Sequence, residues 1–454
     1  MTNQPSIDVT AFIDRQRVSR FQAAIIVLCF LIVAIDGFDT AAIGFIAPVI
    51  RSHWQLAPSQ LGSVFGAGLA GLMAGALLFG PFGDRVGRKR LLLWCVGGFG
   101  IASVASAFSP SLSWLIALRF LTGLGLGGAM PNAITLTSEY CPASRRSFLV
   151  TTMFCGFTIG SAFGGFVAAA LIEEFGWRSV LLAGGVAPLV LVPVLVWRLP
   201  ESVRYLVTQG GARDRIAATL ARIAPEPMLA TATFATFATP NGAASGSPVA
   251  RLFRPDLLRG TLLLWLAFFM SLLVIYLLSS WLPTLLRGTG ASLRTAALVT
   301  AMFQVGGTLG AIVLGWLMDR FNPHYVLALS YAAAGVFVAA IGSLAASPWL
   351  AALAVFAAGF CVSGSQVGAN ALSAAFYPTD CRATGVSWAN GIGRMGSVVG
   401  SLAGGAMLTM GLTLSALFFV VGVPAVIAGL SMAVLGWHRA KRASSMQAAG
   451  LAGP

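Results

Sequence analysis

Five charged side chains stand inside or at the edge of long apolar stretches: Asp36 and Asp39 in one, Arg119 and Glu139 in another, and Arg394 far downstream. A charge among apolar neighbours is costly, so each needs either a partner within the protein or a ligand. Asp36 and Asp39 stand in the run Ile35-Asp36-Gly37-Phe38-Asp39-Thr40. Three residues apart on a helix, they share one face at about 4–5 Å along its axis. Two carboxylates that close, withdrawn from water, suit a site that takes up and releases a proton. Gly37 between them either lets the helix bend or admit a ligand, or serves simple helix packing.

Depth brings a cation to the same level. Asp36 is about 22 Å along its helix from Phe21, and Arg119 about 10 Å from Leu112 at the opposite side. In an apolar layer of roughly 30 Å these positions are close. Arg119 is therefore expected to neutralise Asp36 or Asp39, or to compete with them for an anionic ligand. Arg394 lies about 15 Å inside its own stretch, and no acidic residue lies at that depth in its half of the sequence. A guanidinium so placed offers a carboxylate ligand a planar two-point contact; the plainer alternative is a structural charge. Trp388 and Asn390 lie within two helical turns of it. Phe38, Phe154, Phe157, Tyr276, Phe303 and Trp388 are aromatic candidates for the wall of a ligand site, although most membrane aromatics face lipid or neighbouring helices.

A second group falls between the apolar stretches. Gly80-Pro-Phe-Gly-Asp84-Arg85-Val-Gly87-Arg88-Lys89 joins an acid to a tight glycine turn at a helix start. An Asp there can cap helix N-termini and pair with Arg, forming a latch that breaks when two halves of a protein rock. Glu139 and Arg146, on the next turn of the same side, are natural members of that latch. The run recurs as Gly315-Trp-Leu-Met-Asp319-Arg320, and Pro142 to Arg146 recurs as Pro378 to Arg382 at nearly the same separation. Two echoes at one spacing mark a parallel repeat.

The elements that must position these residues are transmembrane helices. Of 454 residues, 57% are hydrophobic and 9% charged, and the mean hydropathy is +0.86; soluble domains carry about 25% charged residues. Apolar runs of bilayer-spanning length fall near 21–47, 61–79, 91–107, 112–136, 148–172 and 177–196. Six more follow near 262–285, 297–317, 325–344, 349–371, 385–407 and 412–435. The expected fold is all-α, twelve transmembrane helices in two six-helix halves at 21–197 and 261–437. Around them stand an N-tail at 1–20, a central loop at 198–260 and a C-tail at 438–454. Within that loop, Thr231–Pro248 is rich in small residues and reads as linker.

Of the 28 Lys and Arg, all but Arg51, Arg119, Arg178, Arg287, Arg294 and Arg394 fall in the tails, the central loop or the turns on the Gly87 side. That bias places both termini in the cytosol. The net charge of +14 is scattered between apolar segments, which excludes a nucleic-acid-binding module. The six cysteines and three histidines have no metal-ligand spacing, so neither a metal nor a cofactor is expected. A membrane enzyme would need a nucleophile and base, or a metal constellation, and none is visible.

The G-x-x-x-D-R-x-G-R-K run, its copy at Gly315–Arg320, Pro200-Glu201-Ser202-x-Arg204 and the two six-helix halves resemble the major facilitator superfamily over nearly the whole sequence. Asp36-Gly37-Phe38-Asp39 resembles the D-G-x-D hallmark of its aromatic acid:proton symporters, whose members include bacterial 4-hydroxybenzoate and protocatechuate carriers. The resemblance implies a monomer in the bacterial inner membrane that takes up a carboxylated aromatic acid with protons. It also implies roles for the first-helix aspartates, the first latch and positions matching Asp319, Arg382 and Arg394. Asn322, Pro323 and His324 replace the Gly and basic residues of the latch copy. Export, carriage of another organic anion, and sensing of the acid without turnover are the alternatives.

Overall fold

In hydrocarbon a backbone N–H or C=O has no water to bond, so apolar stretches of spanning length must close their hydrogen bonds internally as helices. The computed structural model describes residues 6–210, 213–226, 229, 232–235, 248–378 and 381–448. Strand β1 (Ser6–Asp8) and helix α1 (Val9–Arg15) precede six long helices: α2 (Arg20–Trp54), α3 (Pro58–Val86), α4 (Arg88–Ala107), α5 (Leu112–Tyr140), α6 (Arg146–Phe175) and α7 (Trp177–Arg198). The connecting segment carries α8 (Val203–Thr208), α9 (Arg213–Ala221), β2 (Thr233–Ala235) and α10 (Pro248–Leu252). Six more long helices follow: α11 (Leu258–Gly288), α12 (Leu293–Arg320), α13 (Pro323–Leu344), α14 (Pro348–Phe376), α15 (Arg382–Thr409) and α16 (Leu414–Ala448). Among the described residues, eleven helices are both long and apolar enough to cross a membrane. Helix α15 reaches 28 residues but is more polar, carrying Arg394, Asn390 and several Ser and Gly. Each expected apolar segment falls on one of the twelve long helices.

Lipid tails are as apolar as leucine, so helix association here depends on close approach. Both halves achieve it with the same three helix pairs. A side chain at Gly37 of α2 would strike the Phe157 carbonyl of α6, and one at Gly396 of α15 the Phe269 carbonyl of α11. Gly71 of α3 sits on the Phe120 carbonyl of α5, as Gly306 of α12 sits on that of Phe356 in α14. Gly185 of α7 faces the Gly100 carbonyl of α4, as Gly422 of α16 faces that of Gly335 in α13. First with fifth, second with fourth and third with sixth: the repeat read from two turn motifs is present in the backbone contacts of each half. Of the two readings of Gly37, helix packing is the one observed, and the Ser161 hydroxyl of α6 donates to the Gly37 carbonyl at 2.8 Å.

Two compact units emerge from the contacts. The first comprises Met1–Ala42, Ala67–Gly164 and Phe175–Gly242, and the second Ile43–Gly66, Gly165–Glu174 and Ala243–Pro454. The ends of α2, α3 and α6 that lie far from the Gly87 turn thus belong by contact with the second group of helices.

The polar N-tail is more ordered than its composition predicts. Strand β1 pairs in parallel with β2 through Ser6–Thr233, Ile7–Phe234 and Asp8–Ala235. The Asp8 carboxylate accepts from the Thr10 N–H at 2.9 Å and caps α1. Val9, Phe12 and Ile13 are buried in one cluster with Ile216, Leu220, Ile223 and Leu229. The expected linker therefore contains a strand at Thr233–Ala235, and its remainder at 236–247 lies outside the described residues.

Replacing Gly37 with Ala puts a methyl group onto the Phe157 carbonyl, at a cost of about 1–3 kcal/mol for overpacking. Nothing lies within 4 Å of a side chain at Gly98. Thermal unfolding in detergent is expected to show a lowered Tm for Gly37→Ala and an unchanged one for Gly98→Ala.

Candidate functional site

The first charged cluster is built where α2, α4 and α5 meet. Arg119 of α5 reaches Asp39 of α2 with Nη1 to Oδ2 at 3.2 Å and Nη2 to Oδ1 at 3.4 Å. The Ser103 hydroxyl of α4 donates to Asp39 Oδ1 at 2.6 Å, and Arg119 Nη2 also donates to the Thr122 hydroxyl at 3.1 Å. Asp39 is 1% and Arg119 3% exposed, so water screens neither. The two expected aspartates therefore differ. Asp39 is the one that Arg119 neutralises, through a two-point contact of the kind guanidinium favours. Asp36, 0% exposed, accepts from the Thr40 hydroxyl one turn on at 3.2 Å. Phe38 between them is buried, its ring against Gly184 of α7 and Gly164 of α6, a packing position inside the first unit.

On the Gly87 side a second network forms. Gly87 holds φ +103° at the start of α4, a conformation glycine adopts without strain. Arg88 Nη2 pairs with Glu139 Oε1 of α5 at 3.3 Å. Ser202, the N-cap of α8, donates its hydroxyl to Glu139 Oε2 and accepts from the Tyr205 N–H at 3.1 Å. Glu201 accepts from the Lys89 N–H at 3.0 Å and from the Ser202 N–H at 2.9 Å. Tyr205 donates to the Arg85 carbonyl at 3.2 Å, while Arg85 itself is exposed. Gly80 lies in α3; the Asp84 side chain, on which the expected latch centred, lies outside the described residues.

Arg146 does not join Glu139. It pairs with Asp14 of the N-tail at 2.8 Å and donates to the Ser138 and Cys141 carbonyls at 3.0 and 3.1 Å. Asp14 also accepts from the Ala143 N–H at 2.8 Å, so the tail clasps the α5–α6 turn. Burial pushes the neighbouring Cys141 thiol up to about 11, although Arg146 opposes this. Asp14 and Glu201 escaped sequence reasoning because each lies in a polar segment, where a charge signals nothing. The only cue was Glu201's place in the Pro200-Glu201-Ser202 run.

The second copy of the turn is built differently. Asn322 at φ −60° caps α13 by accepting from the His324 N–H at 3.0 Å, with Pro323 as the first helical residue. Asp319 is exposed and forms no ion pair among the described residues. The Arg320 guanidinium lies over the Trp316 ring at 4.2 Å, and Arg382 Nε donates to the Tyr377 carbonyl at 3.2 Å.

In the second unit, Arg394 of α15 is half-buried and donates to the Tyr276 hydroxyl of α11 at 2.9 Å. The structure thus joins an aromatic hydroxyl to the guanidinium expected to meet a carboxylate. Asn390 turns back to its own helix, donating to the Val386 carbonyl at 3.0 Å. Trp388 is 42% exposed and stacks on Trp265 with centroids 5.6 Å apart, while Phe253 meets the other ring edge-on. Among the described residues no cluster of three or more His, Cys, Asp or Glu could hold a metal.

Twelve long, largely apolar helices, with a buried ion pair in the first half and the half-buried Arg394 in the second, make a multi-pass membrane protein, and comparison defines its class. The family model of the Major Facilitator Superfamily matches residues 29–288 and 264–450. The chain belongs to the major facilitator superfamily. It is 48% identical to a gallate transporter of Pseudomonas putida over 97% of this chain and 98% of that one. To the 4-hydroxybenzoate transporter PcaK of Pseudomonas aeruginosa it is 48% identical over 96% and 98%. Among solved structures, the inward-open xylose transporter XylE of E. coli matches the fold with TM-score 0.71 at 17% identity, covering 90% of this chain and 95% of that one.

Breaking a buried pair by removing one partner costs about 3–5 kcal/mol. Asp39→Asn, which strands Arg119, is expected to lower the Tm and the yield of folded protein markedly. Asp36→Asn retains the Thr40 contact and is expected to fold normally. Fluorescence-detected size exclusion with a thermal ramp compares the two.

Proposed function

We propose that the chain is a secondary active transporter that takes up an aromatic carboxylic acid of the hydroxybenzoate class together with protons, by alternating access. The observation that carries this reading is its near-full-length likeness to transporters named for gallate and 4-hydroxybenzoate. Two arrangements support it. A carboxylated ring needs a cation within an apolar setting, and the half-buried Arg394 with the Tyr276 hydroxyl provides one. A proton-coupled carrier needs a carboxylate that titrates without unbalancing its surroundings. Asp36 and Asp39 are the two buried carboxylates this reading assigns to that role, Asp39 in its pair with Arg119 and Asp36 against the Thr40 hydroxyl.

In this mechanism the Arg88–Glu139–Ser202 network and the Asp14–Arg146 clasp hold the turns of one side in a single arrangement, and their release accompanies the change of access. The bias of Lys and Arg toward that side supports a cytosolic location for it and for both termini, in a bacterial inner membrane. The chain works as a monomer, since each half supplies its own charged group.

Proteoliposomes loaded at neutral pH and given an inward proton gradient are expected to accumulate labelled hydroxybenzoates. Absence of gradient-driven uptake across a panel of hydroxybenzoates overturns the proposal. Asp36→Asn, fixed in the neutral form, is expected to abolish accumulation while preserving exchange of internal for external substrate. An Asp36→Asn protein that still accumulates in a proton-dependent manner removes Asp36 from coupling. Arg394→Lys keeps the charge but loses the planar two-point contact. It is expected to weaken substrate binding about tenfold, the value of one charge-assisted hydrogen bond, measured by binding in detergent.

A further inference from the structure

Four arginines stand on the membrane side opposite the Gly87 turn, against the charge bias of the rest of the sequence, and two of them line one cavity. It has a volume of about 380 Å³ and lies within the second unit. Its walls are the last turns of α2 and α11: Pro48 and Arg51 from the first, Thr284 and Arg287 from the second, with Leu56 from the turn after α2. It opens broadly to the surface, so a ligand held there stays partly solvated. The cavity is a vestibule with a floor. Gly44, one turn before Pro48, lies against the Ser279 carbonyl of α11, so the two backbones touch directly below it.

The polar equipment is unused. Arg51 is half-exposed and Arg287 exposed, and neither forms an ion pair among the described residues. Among the described residues, the one side-chain bond of Arg287 is from Nη1 to the Ala291 carbonyl at 2.9 Å. Thr284 is 7% exposed, and its hydroxyl oxygen is buried without a hydrogen-bond partner among the described residues. A buried hydroxyl without a partner costs about 1–3 kcal/mol, which a bound oxyanion or ring hydroxyl would recover. Glu173 and Glu174, exposed at the end of α6, are the acids of this side within the same unit, and neither lines the cavity.

We propose that this cavity is a second anion site, occupied before substrate enters the membrane: Arg51 and Arg287 hold the carboxylate of an aromatic acid, Pro48 and Leu56 meet its ring, and Thr284 takes a polar substituent. The inference rests on the reading of the chain as an aromatic acid carrier. Its chemistry, an oxyanion between two guanidiniums above an apolar wall, would also suit the phosphate of a lipid headgroup. The experiment separates these sources.

The full chain, its Arg51→Gln/Arg287→Gln double variant and its Arg51→Lys/Arg287→Lys counterpart are reconstituted in zwitterionic vesicles and in vesicles containing anionic lipid. Uptake of labelled 4-hydroxybenzoate and gallate is followed at low and high ionic strength. The Gln variant is expected to raise the half-saturating concentration about fivefold at low salt with an unchanged maximal rate, as removal of steering charges does. High salt should erase the difference, and the Lys variant should retain most of the affinity. An unchanged half-saturating concentration, or a lowered maximal rate alone, overturns the site while leaving the carrier reading intact. A defect seen only with anionic lipid assigns the cavity to headgroups and overturns the substrate assignment. Absence of uptake by the unsubstituted chain overturns both readings together.

Discussion

A charge in hydrocarbon must be answered by another group of the protein, and the Asp39–Arg119 pair is the place where this constraint is met most completely. With both residues almost entirely enclosed, their attraction is little screened; Asp39 Oδ1 and Arg119 Nη2 also draw on Ser103 and Thr122, while Arg119 Nε is buried without a hydrogen-bond partner among the described residues. The geometry ties three helices at one depth, because α2 supplies the acid, α5 the base and α4 the hydroxyl. Such a pair adds less to stability than its short distances imply, since desolvation offsets much of the attraction. Its consequence is specificity: any rotation or sliding of α2 against α5 separates two buried ions. Asp36, equally buried, accepts from the Thr40 hydroxyl of its own helix.

The helices around that pair are held by fit rather than by the hydrophobic effect, which lipid does not supply between spans. Glycine set against a neighbouring carbonyl recurs in the same three helix pairs in both halves. Backbone packing has therefore kept the repeat where side chains have diverged. The divergence is plainest at the turns. Gly87 at positive φ brings the α4 N-terminus against Glu201, while Asn322 and Pro323 start α13 with an ordinary cap. One turn is wired to the connecting segment and to Glu139. Its copy leaves Asp319 exposed and Arg320 resting on Trp316.

The N-tail extends this asymmetry. Its strand, its short helix and the Asp14–Arg146 pair bring the tail and the connecting segment together on the α5–α6 turn of the first half. The apolar residues that anchor it, Val9, Phe12 and Ile13, are too few to register as a segment in a hydropathy reading, yet they suffice once α9 offers them a surface.

By itself the sequence determined the class and the architecture. Runs of spanning length dictate helices because lipid forbids any other solution for an isolated segment, and the two turn motifs disclosed the repeat. It also marked the charges that need an answer within the fold, since Asp36, Asp39, Arg119, Glu139 and Arg394 stand out against apolar neighbours. Partner choice belonged to the tertiary structure. Depth along the helix left Asp36 and Asp39 nearly equal before Arg119, and only the rotation of α2 relative to α5, about 100° for each residue, decided for Asp39. The same reason separated Glu139 from Arg146, which are adjacent in the chain's plan but face different neighbours. It also hid Asp14 and Glu201, whose significance arises from what folding sets beside them, and left Tyr276 legible only as an aromatic wall, not as the hydroxyl partner of Arg394.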